Sequence, residues 1–268
     1  MYSVDHACID CDLCRQIAPA TFAEGDGISV VREQPATPQA RSRAAMALVA
    51  CPTAAIHAKV DTSAAKRAFP EQILDDVYFC GWASSASYGA ASWLIRRPDG
   101  NVLVDSPRAA APLLEQIEAL GGVRTMFLTH RDDVADHEKF AARFGCERII
   151  HAADRIAHVE RLIEGPDPVA LADDLRIVPV PGHTRGSAVL IYRDDIAFVG
   201  DHVWATSDGQ HLEAGRGVCW YSWSEQKKSM QRLADHAFTH VIPGHGRRFT
   251  APNAAAMRDE VLRLAAAM

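Results

Sequence analysis

The hydrophobic pattern divides the chain into two parts of different texture. Residues 1–60 hold few long apolar periodic segments, and only a short strand over 28–31 and a helix over 41–50 are predicted there. Residues 61–74 show no clear pattern and are predicted to form a linker. From about residue 75 short β-type runs and helical runs follow one another. The pattern therefore predicts a small first domain and a larger second domain over 75–268.

The second domain is predicted to mix strands and helices. Runs rich in β-branched and aromatic residues indicate strands, and amphipathic runs indicate helices. The predicted strands are 77–79, 92–95, 102–104, 126–128, 148–150, 175–180, 187–193, 196–199 and 240–243, and the predicted helices are 109–120, 135–144, 223–237 and 254–267. Elements in this order favour a layered α/β or α+β domain.

Composition and charge narrow the classes of partner. The chain has 268 residues, 48% of them hydrophobic, and a net charge of −6 without a block rich in Lys and Arg. A nucleic-acid-binding face is therefore not expected. No apolar run approaches the roughly 18 residues of a membrane span, and no apolar stretch near the start resembles a signal peptide. We expect a cytoplasmic protein with reduced thiols that acts on a small molecule and has no membrane partner.

Four of the seven cysteines form a pattern in the first domain: Cys8, Cys11 and Cys14 at two-residue gaps, then Cys51 followed by Pro52. A cubane iron–sulfur cluster needs four thiolates that converge from one side, and two-residue gaps let three sulfurs of one loop point inward. Structural zinc is the alternative, but it usually takes two separated C-x2-C pairs. The pattern favours a [4Fe-4S] cluster bound by these four cysteines.

The same residues resemble a bacterial-type single-cluster ferredoxin, because no second C-x2-C triple occurs in the chain. The resemblance implies a small ferredoxin-like α+β domain whose cluster carries one electron at low potential. It also implies a redox partner for the cluster. A purely structural cluster is the alternative, since the number of ligands does not reveal redox use.

Four segments of the second domain place a His or Asp directly after a predicted strand. They are 129–137 (THRDDVADH), 181–187 (PGHTRGS), 199–201 (VGD) and 242–246 (IPGHG). Strand ends that converge on one edge of a sheet can place imidazoles and carboxylates around one or two metal ions. The neighbouring glycines fit tight turns that only glycine adopts at low cost. The pattern predicts a metal site.

These elements, together with a strand 102–104 that ends in Asp105, resemble the metallo-β-lactamase superfamily over about residues 75–250. The resemblance implies an αββα sandwich with a metal site on one edge. Carried over residue by residue, it implies that His183 binds a first metal, His245 binds a second, and Asp201 bridges them.

The first motif departs from the H-x-H-x-D-H pattern of that superfamily, because it is two residues longer. The preferred register keeps His130 as the first ligand, puts Asp132 in the place of the second His, and keeps Asp136 and His137 as the D-H pair. A second register starts at Asp132 and puts Val134, which offers no metal-binding atom, in the place of the second His. A third keeps the spacing from His130 and loses the D-H pair. The expected metal ligands are His130, Asp132, Asp136, His137, His183, Asp201 and His245.

Neighbouring residues receive structural interpretations. Asp133 is predicted to cap the following helix, because Asp is a preferred N-cap residue. His202 is expected to orient a metal ligand. Four aromatic residues between Asp201 and His245 are expected to pack in the core, with the lining of an apolar substrate pocket as the alternative. They are Trp204, Trp220, Tyr221 and Trp223.

The resemblance implies a hydrolase first. One or two zinc ions would lower the pKa of a bound water to about 7 and stabilise the developing oxyanion. Asp136 would orient or deprotonate that water. The substrate would carry an ester, thioester or lactone-type bond. Iron in place of zinc is the alternative metal.

The fused cluster domain and the carboxylate of Asp132 motivate a redox enzyme as the alternative. Flavodiiron reductases of this superfamily make a similar substitution with Glu, and here the cluster would feed the di-iron site. Alternatively, His130, His183 and Asp201 would form a two-His-one-carboxylate site for one iron, as in the persulfide dioxygenases of the superfamily. A non-enzymatic electron-transfer module is the third interpretation, and the intact elements around His183 and His245 argue against it.

Overall fold

Contacts along the chain define two units, and the predicted linker 61–74 lies within the first of them. The structure, a computed structural model, describes residues 1–268. The first unit comprises 1–126 and 134–146, and the second comprises 127–133 and 147–268. The segment predicted as a linker instead contains the helix Ser63–Arg67 and the strand Glu71–Leu74.

The first unit is built from short strands and five helices. Its elements are β1 (Ser3–Val4), α1 (Leu13–Ile17), β2 (Phe22–Glu24), β3 (Ser29–Val31), α2 (Pro38–Ala50), β4 (Ile56–His57), α3 (Ser63–Arg67), β5 (Glu71–Leu74), β6 (Val77–Phe79), β7 (Trp93–Ile95), β8 (Val102–Val104), α4 (Ala111–Ala119) and α5 (His137–Phe144). Strand β1 pairs with β4, and β2 pairs with β3, both antiparallel. Strands β5 to β8 each pair antiparallel with the next. Strand β9 (Thr125–Phe127) contains the boundary between the units.

Helix α2 delivers Cys51 to its place. Thr37 caps the helix, since its side chain accepts a hydrogen bond from the Ala40 N–H at 3.1 Å, and Pro38 occupies the first turn. The helix thus begins before the predicted residue 41. Its C-terminal cap is Cys51, whose N–H donates to the Ala47 carbonyl at 3.1 Å. The helix end therefore fixes where the fourth cysteine lies.

The second unit is centred on a six-stranded sheet. Its elements are β10 (Glu147–His151), β11 (Arg161–Ile163), β12 (Val169–Ala172), β13 (Leu175–Pro179), β14 (Ala188–Tyr192), β15 (Ile196–Gly200), β16 (Trp204–Ala205), β17 (Leu212–Glu213), α6 (Trp223–Leu233), β18 (His240–Pro243), β19 (Phe249–Thr250) and α7 (Ala254–Ala267). The strand order in the sheet is β12-β13-β14-β15-β18-β19. Strands β15 and β18 are parallel neighbours, and β10 pairs parallel with β11.

Helices α6 and α7 supply much of the core of this unit. They pack against each other, and Met230 of α6 and Val261 of α7 join a buried cluster with sheet residues such as Val199 and Val241. Each fully buried aliphatic side chain stabilises the fold by about 1.5–3 kcal/mol. Because β15 and β18 run parallel, their carboxyl ends meet at the same edge of the sheet. This places the segments that follow them, which begin at Asp201 and Gly244, side by side.

Most long elements lie where the pattern predicted them. The strands 77–79, 102–104 and 240–243 and the helix 254–267 are confirmed at both ends. Short strands such as β11 and β12 carried no clear pattern and were not predicted. No helix of the chain combines the length and the apolar character that crossing a membrane requires.

Candidate metal centres

The four patterned cysteines line one cavity. Cys8, Cys11, Cys14 and Cys51 surround it together with mostly apolar residues, and none of them forms a disulfide. Burial raises the pKa of the Cys11 thiol to about 12 and also raises the pKa of Cys14. Thiolates in such surroundings need a strong neighbouring positive charge. Four converging thiols in an apolar cavity fit an iron–sulfur cluster.

The loop between the cysteines is held in an unusual backbone conformation. Asp10 and Asp12 both have positive φ, 55° and 63°. Both carboxylates pair with the Arg15 guanidinium, and the distance to Asp10 is 2.6 Å. The Ser29 N–H donates to Cys8 Sγ at 3.4 Å. These contacts shape the loop so that its sulfurs share one cavity.

Gly89 lies against a cysteine of the cavity, and no motif in the sequence indicated this contact. Gly89 has φ +86°, and a Cβ placed on it would lie 2.8 Å from Cys11 Cβ and 3.2 Å from Cys11 Sγ. Real Cβ atoms do not approach so closely, so this position needs glycine. The segment between β6 and β7 therefore contacts a cluster cysteine within the first unit.

In the second unit, His130, His183 and Asp201 form one group of possible metal ligands, whose donor atoms all lie within 4.8 Å of one another. His130 follows β9, His183 lies in the loop between β13 and β14, and Asp201 follows β15. Each histidine Nε2 lies 3.8 Å from Asp201 Oδ2. The structure thus brings together three of the predicted ligands.

A second group shares Asp201 with the first and consists of Asp133, Asp201 and His245. The His245 Nε2 atom lies 3.8 Å from Asp133 Oδ1 and 3.8 Å from Asp201 Oδ2. One carboxylate therefore faces both groups, in the arrangement expected of a ligand that bridges two cations.

The residues of both groups fit metal ions. The Nε2 atoms of His130 and His183 and Oδ1 of Asp201 are buried without a hydrogen-bond partner. Separations of 3.8 Å are too long for hydrogen bonds. They are close to the roughly 3.4 Å between two ligands that each lie about 2.1 Å from a tetrahedral zinc. Burial lowers the pKa of His130, and its Nδ1 lies 3.0 Å from Thr129 Oγ1, which leaves a neutral ring with Nε2 toward the group.

The two adjacent aspartates of the first motif have different surroundings. Asp132 Oδ2 lies 3.7 Å from His183 Nε2 and 4.0 Å from His130 Nε2, and the Asp132 side chain is 31% exposed. Asp133 is 1% exposed and belongs to the second group. Its prediction as a helix cap is wrong, because Asp136 occupies the N-cap position of the following helix. Because Ala135 has φ +24°, the helix begins only at His137.

Neither group includes Asp136 or His137. Both residues lie in the first unit at the start of α5, where Asp136 occupies the N-cap position. The Asp136 carboxylate accepts a hydrogen bond from the Ala109 N–H at 2.8 Å and pairs with Lys139 Nζ at 2.8 Å. The grouping thus keeps His130 but holds Asp133 in place of Asp132 and lacks the D-H pair, so it matches none of the three registers.

Two glycines let the ligand loops approach each other. Gly200 has φ +52°, as predicted for a tight turn, and a Cβ on it would lie 2.5 Å from Thr129 Oγ1. Gly244 has no positive φ, but a Cβ there would lie 2.7 Å from Asp133 Oδ2 and 2.9 Å from Asp201 Oδ1. Position 244 therefore needs glycine because the carboxylates of Asp133 and Asp201 lie too close for a side chain, and not because of the backbone conformation of a turn.

The remaining predicted residues lie around the first group. His202 is buried, burial lowers its pKa to about 3, and neither ring nitrogen has a hydrogen-bond partner. Trp220 and Tyr221 are 62% and 49% exposed, so their prediction as core residues is wrong. Their N–H groups donate to the His183 carbonyl at 2.8 and 3.0 Å, and the Trp220 ring lies 6.4 Å from the His183 ring.

The other two aromatic residues are anchored by their indole N–H groups. Trp204 Nε1 donates to Glu213 Oε1 at 2.9 Å, and Trp223 Nε1 donates to the Met268 carbonyl at 3.1 Å. Both rings are partly buried within the second unit. The exposed aromatic surface beside His183 therefore comes from Trp220 and Tyr221.

Both parts of the chain are similar to known proteins. Residues 4–58 match the family model described as the 4Fe-4S single cluster domain of Ferredoxin I. A hydroxyacylglutathione hydrolase of Hyphomonas neptunium is 31% identical over 158 residues, which cover 55% of this chain and 62% of that protein. A hydroxyacylglutathione hydrolase of Methylococcus capsulatus is 29% identical over 191 residues, covering 65% of this chain and 72% of that protein. The match thus spans less than two thirds of the Hyphomonas relative.

Solved structures show the fold. The DIM-1 metallo-β-lactamase superposes with a TM-score of 0.56 at 18% identity, over 74% of this chain and 95% of that one. ETHE1 from Myxococcus xanthus superposes with a TM-score of 0.50 at 22% identity, over 70% of this chain and 84% of that one. The predicted fold class and the resemblance to the metallo-β-lactamase superfamily are confirmed, as is the resemblance of the first domain to a single-cluster ferredoxin.

Proposed function

We propose that this chain, which joins a 4Fe-4S single-cluster domain to a metallo-β-lactamase fold, is a metal-dependent hydrolase of a small-molecule acyl bond, with zinc as the favoured metal. The observation that carries the proposal is the Asp201 carboxylate, which faces two groups of possible metal ligands at once. Two cations held next to each other by one carboxylate suit hydrolysis, because they can activate the attacking water and polarise the acyl oxygen. The relatives named hydroxyacylglutathione hydrolase support a thioester as the bond.

The residues divide the work at this site. His130, His183 and Asp201 would hold one cation, and Asp133, Asp201 and His245 the other. Bound cations would lower the pKa of a water to about 7 and polarise the acyl oxygen. Burial lowers the pKa of His130 and keeps its ring neutral, and burial of His130, His183 and Asp133 excludes bulk water from one side of the site.

The proton of the attacking water needs an acceptor. The sequence pattern favoured Asp136, but the Asp136 carboxylate already pairs with the Ala109 N–H and with Lys139. Asp132 is partly exposed and lies beside both histidines of the first group. The nearby His183 ring lowers the pKa of Asp132, so this carboxyl group is ionised at neutral pH. We assign proton transfer to Asp132, with Asp133 as the metal ligand.

The proposal is tested by hydrolysis of an S-(2-hydroxyacyl)glutathione and of ester and lactone analogues by anaerobically purified, zinc-loaded protein. We expect turnover of the thioester that His245→Ala lowers by about 100-fold or more, as removal of an oxyanion-stabilising group does. His240→Ala, at the other end of β18, is the matched control and keeps wild-type turnover. A fully metallated protein that hydrolyses none of these compounds would overturn the proposal.

A second candidate function rests on the first group alone. Two histidines and one carboxylate are the ligand set of mononuclear iron oxygenases, and His130, His183 and Asp201 provide it. In that case the [4Fe-4S] cluster would pass electrons between a redox partner and the iron. Iron-loaded protein should then consume oxygen, nitric oxide or persulfide, whereas zinc-loaded protein should not. In either case we propose a cytoplasmic location, where thiols stay reduced and can bind a cluster.

A further inference from the structure

Asp154 is a buried carboxylate that belongs to neither group of possible metal ligands. It ends a short 3₁₀ turn, Ala152–Asp154, after strand β10 and is 2% exposed. Its Oδ1 accepts a hydrogen bond from the Gly186 N–H at 2.8 Å. Its Oδ2 accepts bonds from the Thr184 hydroxyl and, at 3.2 Å, from the Arg131 N–H. A buried carboxylate is retained in a fold only when such bonds compensate for its lost hydration.

The partners of Asp154 lie next to the metal ligands in sequence. Arg131 follows His130, and Thr184 follows His183. One carboxylate therefore binds the loop after β9 and the loop between β13 and β14. The two imidazoles that these loops carry lie with ring centroids 4.8 Å apart, edge to face.

The surrounding residues are adapted to this contact. A Cβ placed on Gly186 would lie 2.6 Å from Asp154 Cβ and 2.6 Å from Asp154 N, so any other residue there would push the loop away from Asp154. Ser187 completes the arrangement, since its hydroxyl lies 2.7 Å from Thr184 Oγ1 and accepts from the Thr184 N–H at 2.9 Å. The T-x-G-S part of the second motif thus serves the contact with Asp154.

We propose that Asp154 is a positioning residue of the metal site, which holds the His130 and His183 loops together so that both Nε2 atoms face Asp201. The proposal rests on the metal site proposed above. The carboxylate acts through backbone and hydroxyl groups and has no contact with substrate. Both carboxylate oxygens accept hydrogen bonds, so a side chain with an acceptor at only one of these positions cannot replace Asp154.

The test compares metal binding by Asp154→Asn, Thr184→Val and the control Asp195→Asn in the full chain. In Asp154→Asn one acceptor becomes an NH₂ donor that opposes a Thr184 or Gly186 donor. Thr184→Val removes one bond and keeps the charge at Asp154. Asp195 makes the same kind of bond to the Thr239 hydroxyl, but at the opposite end of β15 from Asp201. It therefore reports the general effect of breaking an Asp–Thr pair in this unit.

Cobalt substitution and chelator competition provide the readout. We expect Asp154→Asn to lower the affinity for the first cation by about 10–100-fold, which is the usual range for groups that support metal ligands. We also expect the absorption spectrum of cobalt bound at this site to change. Thr184→Val should show a smaller change in the same direction and serves if Asp154→Asn does not fold. Asp195→Asn should bind as wild type does. Binding of the first cation by folded Asp154→Asn and Thr184→Val with wild-type affinity and spectrum would overturn the proposal.

His130→Ala separates this outcome from failure of the metal site itself. If His130→Ala loses the first cation while the Asp154 and Thr184 variants keep it, only the role of Asp154 is wrong. If His130→Ala keeps the cation as well, the assignment of the site is wrong.

Discussion

Asp133 Oδ1 lies 3.8 Å from His245 Nε2, and both atoms face the Asp201 carboxylate that also faces His130 and His183. The two groups of ligands thus meet at a single residue. Removal of a residue that belongs to one group should affect one cation, whereas removal of Asp201 should affect both.

Asp133 and Asp132 provide the sharpest test, because they are adjacent and chemically identical but differ in surroundings. Asp133→Asn should lose the second cation, with a fall in affinity beyond the roughly 10–100-fold typical of changes outside the ligands. Asp132→Asn should keep both cations and lower kcat by about 100-fold, as loss of a general base does. Metal analysis and steady-state kinetics measure both effects. Equal metal loss in the two variants would show that Asp132 is a ligand rather than a base.

Asp201→Ala should remove both cations from the second unit and leave the cluster intact, because the cluster cysteines all lie in the first unit. Iron, sulfide and zinc contents, with the cluster absorption spectrum, check this outcome. His245→Ala is the comparison and should lose one cation only. Retention of one full equivalent by Asp201→Ala would contradict a shared carboxylate.

Part of this site was predictable because strand ends carry its residues. His183, Asp201 and His245 each follow a strand and neighbour a glycine, and parallel pairing of β15 with β18 brings the last two together. The place of Asp133 beside His245 and Asp201 was not predictable, since the direction of its side chain depends on a turn that ends with Ala135 at φ +24°.

Contacts between distant segments also escaped prediction. Gly89 lies against Cys11 and Asp154 against Thr184, yet each pair is far apart in sequence and belongs to no shared motif. Such contacts follow from the packing of loops, which periodicity does not encode. The same holds for Trp220, whose exposure depends on how its loop binds the His183 carbonyl.

The close approach of Gly89 to Cys11 predicts a defect in the cluster. Gly89→Ala should lower the cluster content per chain and shorten the cluster's lifetime in air, because the new methyl group would press on a cysteine ligand. Gly27→Ala is the matched control, since Gly27 also has positive φ, +70°, but nothing lies near its Cβ position. Both changes should cost about 1–2 kcal/mol in backbone strain. Equal cluster content in the two variants would show that strain alone acts.

Stability in acid should depend on Glu160. Bonds from Arg148 lower the pKa of Glu160 to about 2, from an ordinary value of 4.5, and Arg148 itself is buried. A carboxyl group whose pKa is depressed in the folded state stabilises it above the unfolded pKa. That contribution is lost as the pH falls toward the folded pKa. Between pH 4.5 and 2, the free energy of unfolding of the wild-type protein should therefore fall by more than that of Glu160→Gln.

The comparison of wild type with Glu160→Gln is informative because the two chains differ at one residue, so effects of acid on the rest of the chain are the same in both. Urea unfolding followed by tryptophan fluorescence at several pH values gives the difference in free energy of unfolding. The difference should be greatest above pH 4.5 and shrink below it, since Glu160 becomes neutral like its replacement. Glu160 is partly exposed, so the effect should stay nearer the size of a screened surface pair than that of a buried one. If the difference in free energy of unfolding between the two proteins stayed constant with pH, the charge of Glu160 beside Arg148 would not stabilise the fold.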